Sequence, residues 1–164
     1  MKTALLVVDL QNAYYAMEES KKSLKGILGY VNYSILKFRE ADQPIIFIQD
    51  EETGVGTHAF DLYEKLDADK TDIFISKRYS NAFWQTDLEN ILKDLNVGMV
   101  LVCGFAAEYC VQATYQGAME RGFEPALLQH GIASSNEKYV DFIQEIYRTT
   151  SIKVVEYMFN TQRL

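Results

Sequence analysis

The stretch TALLVVD, residues 3–9, decides how this chain folds. Its apolar run shows no alternation of polar and apolar positions, so it reads as a strand buried on both faces, over residues 3–8. Such strands belong to parallel sheets covered by helices on each side. The run breaks at Asp9. The pattern then recurs along the chain: residues 44–49 (PIIFIQ), 72–76 (DIFIS), 98–103 (GMVLVC), 123–129 and 152–155 read as the second to sixth strands. Helical patterns lie between them. Leu24, Ile27, Leu28, Val31, Ile35 and Phe38 fall at spacings of three and four, with Ser20 as start cap and a stop before Gln43 and Pro44. Residues 60–66 read as a short helix, residues 84–95 as a helix carrying Leu88, Ile91, Leu92 and Leu95, and residues 107–121 as a helix closed by Gly122. Asn136 caps a last helix running to about Arg148, with Val140, Ile143 and Tyr147 on one face. Residues 50–57 read as a polar, glycine-bearing loop and residues 159–164 as a terminal arm. Strand and helix alternate throughout, which predicts βαβ units with right-handed crossovers and an α/β fold of three layers.

Composition sets further bounds. At 164 residues the chain fits one domain, and such a domain buries roughly 70% of its unfolded surface without a disulfide or structural metal. The net charge of -7 repels a phosphate backbone and an anionic membrane surface, so neither nucleic acid nor membrane is expected as a partner. Lys21 and Lys22 sit among acidic residues and read as a solvated helix face. Cys103 and Cys110 match no zinc motif and are too few for a disulfide framework. The first apolar run is too short for a signal peptide, and no stretch of about eighteen apolar residues suggests a membrane span. A reducing cytoplasm is the expected location.

In open parallel sheets, ligands bind beyond the carboxyl ends of the strands. Asp9 follows the first strand, Lys77 the third, and Cys110 lies just past the fourth, so the three can converge over one edge. Cys110 sits in GFAAEYCVQAT, a small-residue turn leading into a helix. A helix N-terminus and a nearby Lys77 would draw its acidity toward the thiolate at neutral pH, and Asp9 could accept its proton and later activate water. Each residue also has a structural role open to it: Asp9 as a turn residue, Lys77 as a solvated charge, Cys110 as a small core side chain. Cys103 reads as core. Tyr14, Tyr15, Phe83 and Trp84 lie near strand ends, as pocket walls or as cover for the core edge. His58 reads as a surface or pocket-edge residue and His130 as a loop residue. Asp50, Glu51 and Glu52 read as a solvated acidic loop that could attract a cation.

Three segments together resemble the isochorismatase-like cysteine hydrolases, which include nicotinamidases and carbamoyl-sarcosine amidases. VVDLQNAY places Asp9 in the catalytic aspartate position. ISKRYSNAFWQTDL places Lys77 in the lysine motif, and VCGFAAEYCVQATYQGAMERGF places Cys110 as nucleophile. The resemblance implies a six-stranded parallel sheet ordered 3-2-1-4-5-6 within one domain spanning residues 1–164. It also implies a cis peptide at Phe105–Ala106, an oxyanion hole formed by the Ala106 and Cys110 N–H groups, and a homo-oligomer. The implied activity is hydrolysis of a small amide through a Cys110 thioester, with Tyr14, Phe83, Trp84 and His58 as candidate pocket residues. Neither cofactor nor metal is called for. The nicotinamidase Asp-x-His metal motif is replaced here by Asp50-Glu51-Glu52, which argues against a zinc-held pyridine and against nicotinamide. Two further departures are Ala107, where a threonine is usual, and His130, where an aspartate is. The alternatives are vinyl-ether cleavage, which on this fold proceeds without a cysteine nucleophile, and a non-catalytic scaffold. Thiol redox sensing lacks a resolving cysteine. The substrate itself is not legible.

Overall fold

The computed structural model describes residues 1–161. In chain order the strands are β1 (Lys2–Val8), β2 (Ile45–Asp50), β3 (Ile73–Lys77), β4 (Val97–Phe105), β5 (Glu124–Ala133) and β6 (Thr149–Thr150). The helices are α1 (Asn12–Ala16), α2 (Glu18–Glu40), α3 (Leu88–Asp94), α4 (Gln112–Glu120), α5 (Glu137–Ile146) and α6 (Ile152–Thr161), and a π-helical turn, Ala107–Val111, precedes α4. All six strands pair in parallel, in the order β3-β2-β1-β4-β5-β6. The expected order and the α/β/α layering are therefore found.

The two-sided burial of β1 follows from its sequence. Leu5 and Val7 join Leu24, Val31, Ile35 and Phe38 of α2 and Val155 of α6 on one face. Ala4, Leu6 and Val8 face the other way, toward Leu88 and Leu92 of α3, Tyr115 and Ala118 of α4 and Ile143 of α5. Period-two geometry sends alternate residues to opposite layers, and both layers are apolar, so no polar position is tolerated until the strand ends. Cys103 is buried in the α2-side core, as expected.

Four local expectations are corrected. Residues 152–155 are the start of α6 and not a strand; the sixth strand is only Thr149 and Thr150, beside Leu127 and Leu128. Ile152, Val155 and Phe159 recur at helical spacing, and Phe159 meets Phe38 edge-on at 5.0 Å, so packing against α2 overrides the strand preference of a β-branched run. The terminal arm accordingly begins no earlier than residue 162, outside the described residues, because 159–161 are helical. Residues 60–66 form no helix: Leu62 bridges to Gln11, the Tyr63 N–H donates to the Leu10 carbonyl, and the Asp61 carbonyl accepts from Asn12. Those backbone groups are engaged elsewhere. Helix formation in the 84–95 segment waits until Leu88, since Gln85 has a left-handed backbone (φ 55°). Ser20 lies inside α2, where its hydroxyl donates to the Tyr14 carbonyl at 2.7 Å and ties α1 to α2. Asn136 does cap α5, its side chain accepting from the Lys138 N–H, and Gly122 takes the left-handed form after α4.

One glycine holds the sheet together where the site begins. Gly104 has φ +118°, and a Cβ placed there would lie 2.0 Å from the Val8 carbonyl oxygen. Val8 and Gly104 are register partners at the ends of β1 and β4. The Gly104→Ala variant is expected to lose about 3 kcal/mol or more, from backbone clash and a disallowed φ together. Urea denaturation checks this: an unchanged midpoint would show that β1 and β4 need no such contact.

Candidate active site

Three chain segments leave the carboxyl edge of the sheet and meet there. Asp9 follows β1 in a left-handed conformation (φ 52°), and its N–H donates to the Ile48 carbonyl at 2.9 Å. Lys77 ends β3, in register beside Asp50 at the end of β2. Cys110 lies in the π-helical turn after β4. The Lys77 ammonium stands 2.9 Å from Asp9 Oδ2, 3.2 Å from Cys110 Sγ and 4.0 Å from Asp50 Oδ2. Asp9 and Lys77 are each 1% exposed, whereas Cys110 is half-buried, so the thiol is the part of the cluster that solvent reaches. The sequence-predicted trio is thus brought together in space.

Burial governs the protonation states. Desolvation raises Asp9 from 3.8 to about 6, against the opposing pull of the Lys77 charge and hydrogen bonds from Cys110 and Lys77. Lys77 is raised, since the neighbouring Asp9 and Cys110 outweigh its own burial. Cys110 is pushed up to about 12, first by burial and then by the Asp9 charge, with Lys77 opposing. The expectation of a resting thiolate is therefore corrected. Helix-terminus and ammonium effects are outweighed by desolvation next to a carboxylate, and the resting cluster is a carboxylate, an ammonium and a neutral thiol.

The Phe105–Ala106 peptide is cis, as the resemblance implied. The Ala106 carbonyl accepts from the Tyr109 and Val111 N–H groups, at 3.0 and 3.1 Å, which fixes the turn on which Cys110 sits. Glu108 tethers that turn from the other side by accepting from the Ser134 hydroxyl at 3.0 Å.

The candidate pocket residues separate. Tyr14 belongs to the site: its hydroxyl donates to Asp50 Oδ2 at 2.9 Å and its ring lies 4.9 Å from Phe105. Trp84 is exposed and lines a cavity of about 270 Å³ with Glu51, Ser76, Lys77, Arg78 and Tyr79. Phe83 is corrected to core: it is 4% exposed and stacks on Phe123, because the turn after β3 directs it under α3 and α4. His58 is exposed, and Asn12 donates to its carbonyl at 3.0 Å. His130 is likewise exposed, its ring 5.0 Å from that of Tyr30.

Asp50 is the residue whose place was misjudged. It is a buried strand end and not a loop residue. Its N–H donates to Gln11 Oε1 at 2.7 Å, and its Oδ1 accepts from the Glu52 N–H at 3.0 Å. Gln11, itself fully buried, also donates to Thr53 Oγ1 and to the Phe60 carbonyl, each at 2.8 Å. The available signal was the parallel between IIFIQD and ALLVVD: an aspartate closing an apolar run, as Asp9 does.

Residues 3–156 match the isochorismatase domain. The chain belongs to the isochorismatase family. Among its relatives is the uncharacterized isochorismatase family protein YddQ of Bacillus subtilis (strain 168), 26% identical over 87% of this chain and 84% of that protein. The N-carbamoylsarcosine amidase of Thermoplasma acidophilum shares the fold, with TM-score 0.82 and 21% identity over 92% of this chain and 95% of its own. The pyrazinamidase of Pyrococcus horikoshii, solved in complex with zinc, superposes with TM-score 0.78 at 26% identity over 92% and 99%.

In this isochorismatase-family chain the residues do not suit a divalent cation. Asp9, Asp50 and Cys110 offer ligand atoms within 4.8 Å of one another. The Lys77 ammonium already stands in their midst, and both Asp50 oxygens accept protein hydrogen bonds. A metal would have to displace a buried cation and break those bonds.

The raised Asp9 has a consequence for stability. Its folded pKa of about 6 lies above its unfolded 3.8, so the folded state holds the proton more tightly. Stability from this group falls as pH rises through that window, by up to about 3 kcal/mol. Acidifying from pH 7 to about 4.5 is therefore expected to raise the urea midpoint, and the Asp9→Asn variant to lack that gain. A midpoint that falls steadily over the same range would mean that Asp9 ionises freely in the fold.

Proposed function

We propose that the chain is a cysteine hydrolase that cleaves a small amide through a thioester on Cys110. The observation that carries this reading is the buried Lys77 ammonium, in contact with both the Asp9 carboxylate and the Cys110 sulfur. A carboxylate of raised basicity beside a neutral thiol is a base next to a nucleophile. Asp9 takes the thiol proton as sulfur attacks the amide carbonyl carbon. The Ala106 and Cys110 N–H groups receive the oxyanion, each donor contributing about 3 kcal/mol to barrier lowering. Lys77 holds the charge balance while the negative charge moves from carboxylate to sulfur. The proton passes from Asp9 to the departing nitrogen, the C–N bond breaks, and an ammonia or amine leaves a thioester behind. Asp9 then takes a proton from water, hydroxide attacks the thioester, and the acid departs as the proton returns to sulfur. Amide chemistry is also what the amidase and pyrazinamidase names of the structural relatives suggest.

Small size is expected of the substrate, because Asp9 and Lys77 are sealed and only Cys110 meets solvent. Trp84 and Tyr79, both exposed beside Lys77, are the side chains placed to select its tail. No described helix is long and apolar enough to cross a membrane, and both cysteines are free, which fits a reducing cytoplasm. The same reading has the chain work as a homo-oligomer.

Two measurements test the mechanism. A panel of small amides and activated esters, followed by intact-mass spectrometry, is expected to trap an acyl group on Cys110, and ammonia release should fall at least about 1000-fold in the Cys110→Ala variant. Turnover that survives this substitution would remove the thioester from the mechanism. Second, kcat/KM is expected to rise with pH to a plateau with an apparent midpoint near 6, since only ionised Asp9 accepts the proton. A rate that instead climbs without limit toward pH 10 would point to simple ionisation of the thiol and take Asp9 out of the base role.

A further inference from the structure

α5 shows solvent more apolar surface than a helix that merely covers a sheet. Only Ile143 on it is buried, with Val140 half-buried. Tyr139, Phe142 and Ile146 are 45%, 55% and 53% exposed. They stand at i, i+3 and i+7 and so form a second stripe, turned away from the core. The helix also packs against the π-helical turn, whose Tyr109 is 65% exposed. Single exposed aromatics are ordinary, but three large side chains in line on one helix mark a surface built to be covered.

We infer that this stripe pairs with the same stripe on a second copy of the chain, the two α5 helices lying antiparallel across a two-fold axis near Phe142. Charge sets the choice of occupant. Lys138 and Glu145 flank the stripe along a single edge, about two helical turns apart. Among the described residues neither has an ion-pair partner, whereas neighbouring Glu137 is held by Lys22 at 3.2 Å. The midpoint between positions 138 and 145 coincides with the Phe142 turn. A two-fold axis there sets Lys138 level with Glu145 of the partner subunit, and Glu145 level with Lys138 of the partner subunit. Opposite charges equidistant from the centre of an apolar stripe are the self-complementary pattern that an isologous interface requires. A lipid surface or a strongly charged partner calls for one sign along that edge, and this edge carries both.

Sedimentation velocity on the full chain at tens of micromolar tests the pairing. The wild type is expected to run at twice the mass of one chain, and Phe142→Asp at the mass of one, with unchanged far-ultraviolet dichroism. Lys138→Glu and Glu145→Lys are each expected to weaken self-association by about tenfold, and the doubly reversed variant to restore it. That restoration is the decisive arm, because misfolding cannot produce it. A monomeric wild type overturns the inference, and if such a monomer binds phosphatidylserine vesicles the stripe belongs to a membrane. A dimer that withstands Phe142→Asp, or a double reversal that restores nothing, places the interface elsewhere.

Discussion

The site depends on one buried ammonium. Lys77 occupies a space from which water is excluded, and it survives as a cation because Asp9 lies at 2.9 Å and Asp50 at 4.0 Å. Remove either the burial or the carboxylates and the arrangement loses its logic. In water the three charges would be screened and Asp9 would be an ordinary weak base. In the absence of Lys77, a sealed carboxylate would take up a proton and cease to be a base at all. The opposing tendencies leave Asp9 ionised near neutral pH yet more basic than usual, which a thiol proton acceptor needs to be.

Everything around this ion serves to keep it in place. The apolar faces of β1 and β2 tolerate no polar residue until their last positions, so Asp9 and Asp50 emerge at the same edge by necessity. Gln11 and Tyr14, arriving immediately after β1, fasten Asp50 through its backbone and its carboxylate respectively. The same few residues thus build the strand end, close the loop after β2 and orient a charge. With the Asp50 carboxylate so engaged and an ammonium at the centre, the cluster supplies its own positive charge and has no place for a metal ion.

Much of this was legible in the residues. Uninterrupted apolar runs announced a parallel sheet, and the polar residues that end those runs located the edge where chemistry collects. What failed had physical causes. A helix and a short strand compete for β-branched segments such as IKVV, and only the contact of Phe159 with Phe38 decides between them. The segment FDLYEKL has helical spacing, but its backbone is claimed by Leu10, Gln11 and Asn12, from fifty residues away. The acidity of Cys110 was misread because local features, a helix start and a lysine, are visible in sequence while desolvation is not. Phe83 and Trp84 are adjacent in sequence, yet one enters the core and the other meets solvent, a distinction set by the turn and not by the residue types.

The location of Lys77 within the sheet carries a last implication. β3 is the outermost strand, bonded on one side only to β2, and Phe74 and Ser76 face water. Base and nucleophile spring from the stiff middle of the molecule, whereas the cation rides its margin, on a five-residue ladder. Peeling that ladder back needs no disturbance of either core layer. The chemistry of this fold is thereby tied to its least anchored strand, and fraying at the rim is enough to disarm a centre that otherwise stays folded.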